Sequence, residues 1–171
     1  MAQVYGKLAV MMTARAGFAI GFGCCAALLG FAYYLQYVET QNPCPLCMVQ
    51  RVAYYLLGLV FLVAALHGPA RRGRLVYGIA AFAIAGLGAA VAARHVWLQN
   101  LPKHLVPACG PDLAYMLKRF PLAETIATVL KGSGECAESG WHFLGLTIAG
   151  WSLLWLVALG LFALFLALRR S

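Results

Sequence analysis

Cys44 and Cys47 are spaced Cys44-Pro45-Leu46-Cys47 and stand where one long apolar segment ends and another begins, with Arg51 four residues further on. A Cys-x-x-Cys pair can close and reopen a disulfide, and the thiolate is the reactive form. The pair falls where a helix would start, so the positive end of the helix dipole favours negative charge on sulfur. Pro45 suits a first helical turn, where its missing N–H costs nothing. Arg51, at i+4 from Cys47, shares a helical face with it and adds a fixed positive charge. The plainer role for an arginine at a helix end is an anchor that snorkels to lipid headgroups. Two more cysteines, Cys109 and Cys136, lie in the one long polar stretch of the chain. Two such pairs point to electron transfer between them, the chemistry of a membrane thiol oxidoreductase.

The elements that must position these residues follow from composition. Of the 171 residues, 63% are hydrophobic and only 11% charged, against about a quarter charged in a soluble domain. Mean hydropathy is +0.81. Residues 16–38, 52–70, 75–93 and 141–168 contain no Asp, Glu, Lys or Arg, and a spanning helix needs about 20 apolar residues. None of the four shows strand-like alternation. The expectation is an all-α membrane protein, a single domain over 1–171, with a bundle of four transmembrane helices at about 16–38, 49–67, 75–97 and 143–168 and a loop over about 98–142. The first segment has no convincing small-residue cleavage site and exceeds a signal-peptide core, so it reads as retained.

A net charge of +8 invites a nucleic-acid reading, but the distribution argues for topology instead. Lys7, Arg15, Arg71, Arg72, Arg74, Arg169 and Arg170 fall in the N-terminus, the loop between segments two and three, and the C-terminus, where there is no acid. Glu39, Asp112, Glu124, Glu135 and Glu138, all the acids of the chain, fall in the other two loops. The positive-inside rule then places both termini in the cytoplasm and both cysteine-bearing loops on the opposite side.

That side is where disulfides persist, so inert structural disulfides are one alternative reading. Zinc is another, but zinc ribbons usually supply ligands as two closely spaced pairs. Here Cys109 and Cys136 have 26 residues between them, and no His lies at finger-like spacing nearby. No metal is assigned on this pattern. Adjacent Cys24 and Cys25 point about 100° apart on a helix and read as small buried hydrophobes. Glycines at 17, 21, 23, 86 and 88 read as close helix packing. His67, His104 and His142 read as interfacial residues.

The 98–140 stretch carries Pro102, Pro107, Pro111 and Pro121, and Gly132-Ser133-Gly134 forms a hinge ahead of Cys136. Leu113, Met116, Leu117 and Phe120 follow helical spacing, and Leu122, Ile126, Val129 and Leu130 continue a similar stripe. The stripe fits either a short helix in the membrane interface or a cap on the bundle.

Three motifs together resemble one family. They are Pro43-Cys44-Pro45-Leu46-Cys47-x-x-Gln50-Arg51; His95-x-x-Leu98-Gln99 leading to Pro107-Ala108-Cys109; and Gly132-Ser133-Gly134-Glu135-Cys136-Ala137-Glu138 followed by Trp141-x-Phe143-Leu144-Gly145-Leu146. In order and extent, from the first apolar segment to the fourth, the chain resembles the disulfide bond formation protein B (DsbB) family. The resemblance implies a four-helix protein of the bacterial inner membrane with its active loops facing the periplasm. It implies reoxidation of a periplasmic thioredoxin-fold dithiol oxidase of the DsbA kind, with ubiquinone or menaquinone as electron acceptor. By motif position, Cys109 would form the mixed disulfide with the partner, and Cys136 would be its mate. Cys44 would pair transiently with Cys109, and Cys47 would face the quinone ring. Arg51 and His95 match quinone-site positions, and Gln50 is a secondary quinone contact.

Overall fold

A computed structural model of the chain describes residues 2–105, 113–132, 134–137 and 142–169. Four long helices dominate them: α1 (Ala2–Tyr37), α2 (Pro45–His67), α3 (Arg71–Gln99) and, last in the chain, α7 (Ile148–Leu168). Each contains a stretch long and apolar enough to cross a membrane, in α1 over Ala14–Tyr37. Between α3 and α7 lie a 3₁₀ turn (Lys103–Leu105), three short helices, α4 (Leu113–Arg119), α5 (Leu122–Lys131) and α6 (Gly134–Ala137), and strands β1 (His142–Phe143) and β2 (Leu146–Thr147). The four-helix membrane fold expected from composition is therefore present.

The helix boundaries differ from the sequence expectation for identifiable reasons. Charge-free windows mark where a span can lie, whereas helix ends are set by proline, glycine and caps. The helix expected from residue 16 begins by Ala2, since residues 2–15 hold no proline to stop it. The one expected from residue 49 begins at Pro45, with Cys44 as N-cap. It ends at Gly68, whose φ of 58° is the left-handed cap conformation that glycine adopts without strain. The one expected over 75–97 runs from Arg71 to Gln99, entered from Pro69-Ala70. The last, expected from residue 143, starts at Ile148. Leu144 and Gly145, at φ 51° and 79°, close a two-residue turn between antiparallel β1 and β2. Such a hairpin needs positive φ at both turn residues, for which glycine is suited and leucine is not. Thr147 then caps α7, its hydroxyl accepting from Gly150 N–H at 3.1 Å.

The long helices form a bundle in which α3 packs chiefly on α7, α1 on α2 and α2 on α3, while the α1–α7 seam is thinner. Phe18, Leu57, Phe61, Ala81, Ala85, Leu156 and Ala163 fill the interior. Small residues bring the backbones together, as they do where lipid removes any hydrophobic drive between helices. A Cβ on Gly88 would stand 2.9 Å from Ala53 Cβ, and one on Gly160 would stand 3.1 Å from Ala85 Cβ. Of the five glycines read as packing residues, 17, 21 and 88 make such close approaches, whereas 23 and 86 face open space. Cys25 is buried against Gly58 in this core, and Cys24 packs at its edge. Both behave as the small hydrophobes expected. Outward-facing Ile20, Leu59, Leu66, Val76, Leu87 and Leu161 provide the apolar exterior.

One end of the bundle gathers the C-terminus of α1, the N-terminus of α2, the C-terminus of α3 and the N-terminus of α7. The α4–α6 segment covers it. Met116 and Val129, from the two halves of the amphipathic stripe, are buried there with Cys44, Leu46, Leu98 and Cys136. Phe120 and Ile126 remain exposed. The stripe thus serves as a cap through one pair of residues and leaves the other pair outward. The side chains of Leu113, Leu117, Leu122 and Leu130 lie outside the described residues.

Candidate functional site

Cys44 is both a site residue and a structural one. Its backbone is extended (φ −69°, ψ 164°), and its sulfur accepts from Cys47 N–H at 3.4 Å. This is the task of an N-cap oxygen, performed here by sulfur. Pro45 takes the next position, as its fixed φ allows. The local sequence therefore folds so that Cys44 sits at the mouth of the helix and Cys47 one turn inside it. The two sulfurs come within 3.0 Å as free thiols.

His95 arrives from α3, 51 residues away in sequence from Cys44, and is only 3% exposed. Its Nε2 stands 3.7 Å from Cys44 Sγ, and its Nδ1 stands 4.0 Å from Cys47 Sγ. Buried Gln50, one turn of α2 below Cys47, donates its side-chain N–H to His95 Nδ1 at 3.1 Å. On the far side of the ring Gln99 Nε2 lies 3.5 Å from His95 Nε2, and Thr147 donates its hydroxyl proton to Gln99 Oε1 at 2.7 Å. A polar chain thus runs from the cysteine pair through His95 and Gln99 to the cap of α7. Among the described residues no buried side-chain nitrogen or oxygen is left without a hydrogen-bond partner, as a low-dielectric setting requires.

Arg51 occupies the same end of the bundle but points elsewhere. Its guanidinium donates to Gln36 Oε1 and, at 3.0 Å, to the Ala32 carbonyl of α1. It also lies over the Tyr33 ring, 4.8 Å from the centroid. Its contacts tie α2 to α1 beside the cysteines, so the anchor expected at a helix end is seated on protein.

A cavity of about 720 Å³ opens between these groups, a size suited to a cofactor or drug-sized ligand. Phe31, Leu35, Trp151 and Trp155 give it apolar walls, and Cys47, Gln50, Arg51 and His95 edge it. Deeper in, Tyr54 donates its hydroxyl to the Ser152 carbonyl at 3.1 Å and joins α2 to α7. A cavity with a mostly apolar lining, a few convergent polar groups and a dithiol at its rim can hold a flat apolar ring and exchange electrons and protons with it.

Cys136, on α6, is fully buried in the cluster that also contains Cys44, and the His95 ring lies beside its main chain. Cys109 lies outside the described residues. Of the sequence-predicted site residues, the structure therefore gathers Cys44, Cys47, Gln50, Arg51, His95 and Cys136 at one end. His67 is elsewhere, paired through Nδ1 with Tyr77 OH at 2.9 Å. His104 and His142 are exposed. Sequence reasoning gave no role to Gln99, Gln36, Tyr54 or Ser152. The i, i+4 spacing of His95 and Gln99 on one helix was an available signal for the first. The others face the site only through packing between helices, which no local pattern announces.

Comparison with known proteins points to one family. Residues 14–166 match the family described as disulfide bond formation protein DsbB. The chain is 51% identical over 153 residues to the disulfide bond formation protein B of Nitrosococcus oceani, covering 90% of each chain. It is 53% identical over 142 residues to that of Hahella chejuensis, covering 83% of this chain and 86% of the relative. With the protein of Marinobacter nauticus it shares 48% identity over 159 residues, covering 93% and 95% respectively.

Proposed function

This chain belongs to the disulfide bond formation protein B family of membrane proteins, and on that premise we propose that it reoxidises a periplasmic, thioredoxin-fold DsbA-like dithiol oxidase and passes the electrons to membrane quinone. The observation that carries the proposal is a dithiol with its sulfurs 3.0 Å apart, at the start of a membrane helix and on the rim of a 720 Å³ apolar cavity. Neither inert disulfides nor a purely structural bundle calls for such a cavity at the pair.

In this reading the Cys109–Cys136 pair receives electrons from the partner dithiol through a mixed disulfide on Cys109. Each exchange is an in-line attack of thiolate on sulfur, so sulfurs must be brought together. A transient Cys44–Cys109 pairing is one route between the loops. The burial of Cys44 and Cys136 in one cluster supports a second, direct exchange between those two. Attack on Cys44 of a Cys44–Cys47 disulfide expels Cys47 as thiolate beside the cavity, and reclosure of Cys109–Cys136 then frees Cys44, leaving the Cys44/Cys47 dithiol reduced. Ubiquinone or menaquinone, seated in the cavity, supplies an acceptor for two electrons and two protons. Phe31, Trp151 and Trp155 offer it aromatic faces, and His95 and Gln50 present polar atoms at the sulfur end. Arg51 holds the α1 wall in place and keeps a positive charge near the acceptor. His95, in reach of both sulfurs, is placed to take up a thiol proton.

The distribution of charge supports a multi-pass orientation in the bacterial inner membrane with both termini cytoplasmic and the cysteine loops periplasmic. Four crossings already put the termini together on one side. The decisive test mixes the purified protein with a reduced thioredoxin-fold oxidase and a soluble quinone, and follows quinone absorbance. Quinone should be consumed in step with partner oxidation, and Cys109→Ser or Cys136→Ser should stop oxidation of the partner while a small dithiol still drives quinone reduction. Wild-type rates of partner oxidation in either variant would overturn the two-pair relay.

A further inference from the structure

The sequence offers no histidine near the Cys-x-x-Cys motif, yet folding delivers one. Cys44 Sγ, Cys47 Sγ and a His95 ring nitrogen all lie within 4.8 Å of one another. We infer that the reduced form of this site binds a single Zn²⁺ through Cys44, Cys47 and His95, and that the disulfide form does not.

Donor type and spacing fit. Zinc takes thiolate sulfur at about 2.3 Å and imidazole nitrogen at about 2.0–2.1 Å, and two thiolates with one histidine are an attested catalytic ligand set with an open fourth position. A tetrahedral ion places its sulfurs about 3.8 Å apart and sulfur and nitrogen about 3.5 Å apart on those bond lengths. The present separations are 3.0 Å between the sulfurs and 3.7 Å from Cys44 Sγ to His95 Nε2. Small side-chain rotations close the difference.

Two further features point the same way. Gln50 already stands 3.1 Å from His95 Nδ1; with its amide turned over, Gln50 Oε1 accepts Nδ1–H and leaves a bare Nε2 turned to Cys44. Fixing the second ring nitrogen by a hydrogen bond is how metal-binding histidines are usually oriented. Charge also balances: two thiolates cancel the 2+ of zinc, so the occupied site is neutral in a buried setting that penalises net charge. Binding converts two thiols to thiolates and releases two protons, with no change of oxidation state. A disulfide has no thiolate to offer, so the pair's redox state gates the site. The binding stands on geometry alone. Its consequence, that zinc holds the dithiol out of the relay and inhibits it, rests on the proposed function.

The test uses full-length protein in detergent carrying Cys109→Ser and Cys136→Ser, which removes the other pair. It is reduced with a phosphine, freed of reductant and titrated with Co²⁺ alone, then with Zn²⁺. We expect one equivalent of Co²⁺ with thiolate-to-metal charge transfer and tetrahedral ligand-field bands, displaced by Zn²⁺ and absent from the oxidised protein. Gln50→Leu should weaken Co²⁺ binding about tenfold, and His95→Ala by more, while Cys24→Ser and Cys25→Ser leave it unchanged. Circular dichroism of each variant checks that the helices remain. No stoichiometric spectrum in the reduced protein, a spectrum that survives oxidation, or unchanged affinity in His95→Ala would overturn the site. Quinone reduction driven by a small dithiol, measured on the same metal-free preparation, separates the two ideas. An active protein without the cobalt spectrum sinks only the zinc site, and a cobalt-binding protein without quinone reduction sinks only the proposed function.

Discussion

The middle of the bundle and its loop end are buried to a similar degree by opposite means. In the middle of the bundle, Leu57, Phe61, Ala81, Ala85 and Leu156 are almost wholly inaccessible and interlock through shape. At the loop end, Cys44, Gln50 and His95 are nearly as inaccessible but are held by directional contacts around a cavity. The first region is filled and the second keeps a space open. Packing should therefore govern stability in the one, and chemistry in the other should be separable from stability.

The sharpest way to break that comparison is Cys44→Ser. Serine is a better N-cap than sulfur, so thermal unfolding should be unchanged or slightly later. Quinone-linked oxidation of the partner should fall on the order of 10³-fold or more, as when a reacting nucleophile is removed. Loss of folding together with activity would show that the loop end is as structural as the middle. Next in size is Gly88→Leu, which drives a side chain into Ala53 and Leu156. Overpacking of this kind costs up to about 3 kcal/mol. It should appear as easier unfolding in a denaturing detergent titration, with quinone kinetics preserved in the surviving folded fraction.

Arg51→Ala tests the border between the regions, since this side chain touches the cavity but is tied to α1. We expect an apparent KM for quinone raised about tenfold, or ~1.4 kcal/mol, with a milder change for Arg51→Lys, which keeps charge but loses the planar fork. Gln36→Leu should leave most of the affinity. If it reproduces Arg51→Ala in steady-state quinone titrations, the arginine acts only by holding α1. The smallest expected effect is at Thr40, a β-branched residue at φ 51° in the loop before Cys44. Thr40→Asn should relieve strain of about 1 kcal/mol and delay thermal unfolding without altering quinone KM.

The membrane class, the four spans and the Cys44/Cys47 pair were readable because each leaves a local trace, whereas His95 was singled out only by the resemblance of its motif to a family. Long charge-free runs mark spans, Pro45 marks a first turn, and the cysteine motif marks reactive sulfur. What could not be read depends on contacts between helices. Nothing near His95 in the sequence says that its ring meets Cys44, and nothing near Arg51 says that Gln36 Oε1 and the Ala32 carbonyl accept its hydrogen bonds. The β1–β2 hairpin was hidden for a different reason. Leu144 enters the left-handed region against its own preference, so Gly145 was the only turn signal, and the apolar run around it read as helix.

Arg51 reaches from α2 to α1 at the loop end, and at the opposite end Arg15 reaches from α1 to the Ala65 and Leu66 carbonyls of α2, at 3.0 Å each. The two helices are thus cross-pinned, each by an arginine of the other. A longitudinal slip of even one residue, about 1.5 Å, would strain both pins together. In the proposed relay these two helices therefore serve as a fixed jig, which leaves the approach of sulfur to sulfur to parts of the chain other than a slide of α1 along α2.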